Sequence, residues 1–115
     1  MKKIIRSTKH LNYIRSQPCM IGQMPGSQAC HIRILSDGGT GIKPSDFYVL
    51  PMEYRYHKIS HDIGEARFYK EWQINPFIYA QMYVKMSPCN KVNNKAVIKQ
   101  LEERAKTYAR VYQNK

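Results

Sequence analysis

The sequence predicts an α+β fold: a pair of short antiparallel strands with one helix before them and several after. Three observations lead there. Two short apolar runs rich in β-branched and aromatic residues, CHIRIL (30–35) and FYVLPM (47–52), flank SDGGTGIKPSD, which cannot be regular structure. Helical spacing begins after Met52 and is interrupted at Gly64 and Pro88. A single helical pattern, from Ser7 to Arg15, precedes the strands.

Taken in order, Ser7 is an N-cap residue, and Leu11 and Ile14 share one face at i, i+3 until Pro18 stops the helix. Residues 19–30 hold cysteine, two glycines and a proline and read as loop. Ile32 and Ile34 mark the first strand. Three glycines in four positions and Pro44 force a long connection before the second strand. Met52 to about Ile63 is helical, and Gly64 ends it. Residues 65–73 form another short helix with Phe68, Tyr69 and Trp72 as its apolar side. Asn75-Pro76 is an N-cap followed by proline in the first turn, opening a helix to about Met86. The last helix runs from about Asn94 to Tyr112, with Val97, Leu101, Ala105, Tyr108 and Val111/Tyr112 as its stripe.

A chain of 115 residues suits one domain, 1–115. Its strand–strand–helix part covers about 17–64 and its helical extension about 65–113. Nineteen Lys and Arg against eight Asp and Glu give a net charge of +11. Such a field favours polyanions, nucleic acid first and an anionic membrane surface second; a merely soluble basic protein is the plain alternative. No apolar run approaches the roughly 20 residues of a membrane span, and the basic N-terminus lacks the apolar stretch of a signal peptide. A cytoplasmic protein with no membrane partner is therefore expected. Cys19, Cys30 and Cys89 are odd in number and widely spaced, so they read as free thiols or metal ligands.

Cys30, His57 and His61 are of residue types that ligate zinc or another transition metal. Two histidines four apart lie on one helix face, although the spacing also recurs by chance. His31 follows Cys30 and points to the opposite side of a strand. Phosphodiester hydrolysis needs a cation to stabilise charge, a base to take a proton from water, a group to orient that base, and cations for the backbone phosphates. The chain has a candidate for each. His31 is the base and Asp46 its orienting partner. Arg33 and Lys43 are the phosphate contacts, with Arg55 and Lys58 on the following helix as further nucleic-acid-binding residues.

The run CHIRILSDGGTGIKPSDFYVLP followed by YHKISH resembles the HNH, or ββα-metal, endonucleases, most of all their small phage- and prophage-encoded branch. Residues 11 to about 72 carry the likeness. The resemblance implies a central ββα-metal unit and a metal-dependent DNA endonuclease that hydrolyses phosphodiester bonds with His-activated water in phage recombination or DNA processing. It implies His31 as general base and Asp46 at the motif's usual asparagine position. It implies His57 and His61 as metal ligands and Cys30 at the first ligand position, where many relatives have histidine or aspartate. One divalent cation is implied, magnesium, manganese or zinc, with zinc favoured if the soft Cys30 thiolate binds it. DNA is the implied partner, with RNA as the alternative. The chain departs from the pattern at Tyr56, where a second histidine often sits, and at Cys19, which has no second cysteine to complete a zinc knuckle.

Plainer roles stand beside these. Cys19 and Cys89 are expected in the core, and Tyr54, Tyr56 and Trp72 in packing. The glycine-rich loop can be a plain hairpin connection, with Asp46 capping a local turn. The basic last helix can be a solvated face or lie along DNA, and His10 is read as surface. A catalytically degenerate nucleic-acid-binding module on the same scaffold, and a zinc-stabilised protein-interaction domain, are the competing functions.

Overall fold

In the computed structural model, which describes residues 3–113, helix α1 spans Thr8–Arg15. The Ser7 hydroxyl accepts the His10 N–H at 3.1 Å and so caps it. Ile14 turns inward, and the helix ends at Ser16, ahead of Pro18. Strand β1 (Gln28–His31) pairs antiparallel with β2 (Val49–Met52), with Gln28 opposite Met52 and His31 opposite Val49. All four β2 residues are buried.

The first strand stops earlier than CHIRIL suggests. Ile32 makes one further backbone bond, to the Tyr48 carbonyl at 2.8 Å. The next two amides, Arg33 and Ile34, instead donate to the Glu65 carboxylate, and Leu35 turns into the left-handed region at φ +55°. The glycine-rich loop then folds tightly on itself through a bridge between Gly39 and Ile42. Gly38 is required there: a Cβ would lie 2.8 Å from the Ile42 carbonyl oxygen and 2.9 Å from Pro44.

Helices α2 (Tyr54–Ile63) and α3 (Glu65–Glu71) are separated by Gly64, whose φ of +92° lets the chain change direction. Helix α4 (Pro76–Met86) starts at Asn75, whose side chain accepts the Phe77 N–H at 3.2 Å. Helix α5 (Lys95–Tyr108) is capped in the same way by Asn94 and continues into a π-helical turn, Ala109–Gln113. The core does not divide at Gly64. Tyr48, preceding β2, meets Phe77 of α4 edge-on at 5.8 Å, and Tyr108 of α5 packs on both Phe77 and Tyr69. Helices α1 and α4 thus pack on the strand pair, and α5 packs in turn on α4.

Four expectations about single residues need correction. His10 is fully buried, because its Nδ1 meets the Ser87 hydroxyl at 2.9 Å beneath the turn after α4. Tyr54 is 63 % exposed and Trp72 46 %, so neither is a packing residue of the core; Trp72 lies edge-on against Tyr56 at 5.7 Å. Val111 is exposed on the π-helical turn, so the apolar stripe passes from Tyr108 to Tyr112, which packs against the core. Among the described residues no helix is long and apolar enough to cross a membrane.

Candidate functional site

Alternation along β1 separates its two chemically interesting residues. Cys30 points into the core, and His31 points out beneath α2 with 11 % of its side chain exposed. Burial pushes the Cys30 thiol up to about 12, and the nearby Glu65 charge adds to this, so the sulfur is protonated at neutral pH. His31 Nε2 lies 3.0 Å from Asp46 Oδ1.

Asp46 is itself held by a segment far away in the chain. Its Oδ2 accepts the Ser7 N–H at 2.8 Å, and its Oδ1 also accepts Arg6 Nη1 at 3.2 Å. The Asp46 N–H donates to the Ile5 carbonyl at 2.8 Å, and Arg6 donates to the carbonyls of Lys43 and Pro44. Asp37, at the start of the glycine-rich loop, accepts from both the Ser45 N–H and the Ser45 hydroxyl. Burial works against the Asp46 charge. The Ser7 N–H, His31 and Arg6 outweigh it and hold the carboxyl below its ordinary range. An ionised Asp46 can only accept, so His31 Nε2 carries the proton and Nδ1 is left with the free lone pair. Burial, with Lys43 and Arg6 adding, lowers the His31 pKa against the pull of Asp46. The imidazole is therefore neutral near pH 7 and able to take a proton.

One turn apart on α2, His57 and His61 bring their rings to 4.8 Å. The Gln28 side-chain oxygen faces His57 Nδ1 at 2.8 Å. That oxygen can only accept, which puts the proton on Nδ1 and leaves Nε2 free as a ligand. Burial lowers the His57 pKa, and His61, His31 and Arg33 lower it further. A cavity of about 260 Å³ is lined by Ala29, His31, Arg33, Lys43, His57 and His61. The strand pair, the glycine-rich loop and α2 thus bring three imidazoles and two cations to one place.

Cys30 borders an adjoining cavity of about 170 Å³, which shares His31, Arg33 and His61 with the first and adds Ser60, Gly64 and Glu65. Among the described residues, no group of three or more His, Cys, Asp and Glu side chains converges as a metal site, so Cys30 does not complete a set with His57 and His61. Arg55 leans over the Tyr56 ring with its Nε 3.5 Å from Glu53, and Lys58 is paired with Asp62 at 2.7 Å; neither lines the histidine cavity.

A family model described as a protein of unknown function, DUF968, matches residues 1–85. The chain belongs to the DUF968 family. No curated protein and no solved structure matches it. The matched part of this DUF968 chain contains Arg6, Asp46 and all three histidines of the cavity.

Sequence reasoning missed the supports of the DUF968 site. Arg6 and the Ser7 amide hold Asp46 from 39 or 40 residues away. Glu65 ties the chain after β1 to the start of α3 through the Arg33 and Ile34 amides and also accepts the Tyr69 hydroxyl at 2.8 Å. Gln28 sets the His57 tautomer across 29 residues. None has a local signal; only an acidic residue directly after Gly64 hints at Glu65.

Proposed function

We propose that this protein is a metal-dependent DNA endonuclease of the HNH type, with β1, β2 and α2 as its ββα-metal unit. One observation carries the reading: His31, held by Asp46 through Nε2, lines the same cavity as His57, His61 and Lys43. In the reaction, His31 Nδ1 takes a proton from water as the water attacks the phosphorus. Asp46 keeps the ring oriented and stabilises the imidazolium that forms. Arg33 and Lys43 hold the nonbridging oxygens of the strand. His57 and His61 would hold one divalent cation, magnesium, manganese or zinc, which when bound stabilises charge on the scissile phosphate and on the leaving oxygen.

Nicking of supercoiled plasmid with each metal added in turn tests this. His31→Ala is expected to lower the nicking rate by about 10²-fold or more while its circular dichroism and DNA affinity stay unchanged. A His31→Ala variant that nicks at the wild-type rate sinks the assignment. A second reading, a DNA-binding module that does not cleave, draws on the protonated Cys30 and on the absence of a third converging ligand among the described residues. It predicts salt-sensitive binding and no nicking with any of the metals.

A further inference from the structure

A larger cavity, of about 390 Å³, lies between α3 and the end of α5, within the range of small-ligand sites. Its walls include Tyr69 and Lys70 of α3, Gln73 just after it, and Tyr108, Tyr112 and Gln113 at the end of α5. Tyr108 and Tyr112 are stacked, with ring centroids at 4.8 Å and planes 29° apart. Tyr108 is buried, whereas Tyr112 is only half-buried beside it.

Two local features at this cavity are not what packing alone would choose. Tyr112 and Gln113 sit on the π-helical turn Ala109–Gln113. Such turns are rare and recur at functional sites, because the wider turn redirects side chains. Gln73 has φ +54°. That backbone is explained by the helix stop, in which Gln73 N–H returns to Lys70 O and Ile74 N–H to Tyr69 O. The residue type is not explained by it. Glycine takes this position without strain, and a side chain there costs about 1 kcal/mol. Gln73 brings an amide that can both donate and accept to the lining of this cavity.

We propose that this cavity takes a nucleobase of single-stranded nucleic acid, with Tyr112 as the stacking surface, the Gln73 amide at the base edge and Lys70 at the phosphate. Aromatic stacking beside a cation is the chemistry by which proteins hold unpaired bases. The excess of positive charge favours a polyanion over a neutral aromatic ligand. Helix α3 borders both cavities, with Glu65 lining the one beside His61, and Tyr69 and Lys70 the other. The inference rests on the reading of DNA as the ligand and adds a grip on a strand displaced from its complement near the histidine site.

The test uses the full chain in EDTA, so that binding is read without cleavage. A short single-stranded oligodeoxynucleotide containing 2-aminopurine is titrated, with the free 2-aminopurine mononucleotide as a second arm. Stacking on Tyr112 is expected to quench the strand's fluorescence. Tyr112→Ala should weaken strand binding about tenfold and Tyr112→Phe should preserve it. Gln73→Gly should raise Tm yet weaken binding, which separates ligand contact from folding. Wild-type affinity in both Tyr112→Ala and Gln73→Gly overturns the proposal, as does a mononucleotide that binds as tightly as the strand. Plasmid nicking that persists with Tyr112-independent binding removes this site and leaves the endonuclease reading standing. Tyr112-dependent binding without nicking does the reverse.

Discussion

The imidazole of His10 is fully buried, with one nitrogen on the Ser87 hydroxyl and Nε2 without a partner among the described residues. Burial lowers its pKa to about 4, partly opposed by the Asp46 charge. In the unfolded chain the same ring titrates near 6.5. Below that pH the unfolded state gains a proton that the folded state refuses. Stability is therefore complete above about pH 6.5, falls as the pH drops toward 4, and loses about 3 kcal/mol from this residue before levelling off. Asp46 has the opposite charge type and a separate window. Its carboxyl is held below the ordinary range, so its contribution is full above about pH 4 and disappears only as the pH falls through its folded value. Urea unfolding at pH 7, 5 and 4 measures the sum. His31 and His57 also have lowered values and add to the loss between pH 6.5 and 4, so the diagnostic is a difference. His10→Gln should have a shallower pH dependence than wild type in that interval, and equal slopes would show that His10 is solvated when folded.

Asn75 ties two helices with one side chain. Its oxygen caps α4 at the Phe77 N–H, and its amide donates to the Ala105 carbonyl at 3.0 Å and to Gln113 Oε1 at 3.3 Å. Asn75→Ala loses the cap and the second hydrogen bond to the Ala105 carbonyl, which keeps the Ala109 N–H, at a cost of about 2 kcal/mol. Asn75→Ser restores the cap alone and should recover about half of that in chemical denaturation. The α4 start was legible because Asn-Pro is a local signal, as were Ser7 before α1 and Gly64 between α2 and α3. The end of β1 was not, because the Arg33 and Ile34 amides leave the sheet for Glu65, more than thirty residues away. His10 was misread for the same reason: what buries it is the turn at Ser87, 77 residues on. In the candidate site, the pairing of His31 with Asp46 followed from their types and from the resemblance. The clamp of Arg6 and Ser7 on Asp46 had no local trace and needed the folded chain.

A net charge of +11 sets an electrostatic field over the entire surface, but the fold decides which cations are free to meet a polyanion. Arg33 and Lys43 line the histidine cavity, whereas Arg55 lies near Glu53 and Lys58 is paired with Asp62. A cation already neutralised by an acid releases little when it meets a phosphate. Removing one side chain that neutralises a phosphate should reduce the slope of log affinity against log salt by about 0.9 for duplex DNA. Arg33→Ala with Lys43→Ala is thus expected to lower the slope by about 2 in anisotropy titrations of a metal-free duplex between about 50 and 200 mM salt. Arg55→Ala with Lys58→Ala should leave it within error. The reverse pattern would put the duplex along the outer face of α2, turned away from the Asp46–His31 pair. In that geometry His31 could not reach the scissile phosphate, so a binding measurement alone, made with no cation present, bears directly on whether this arrangement can cut DNA.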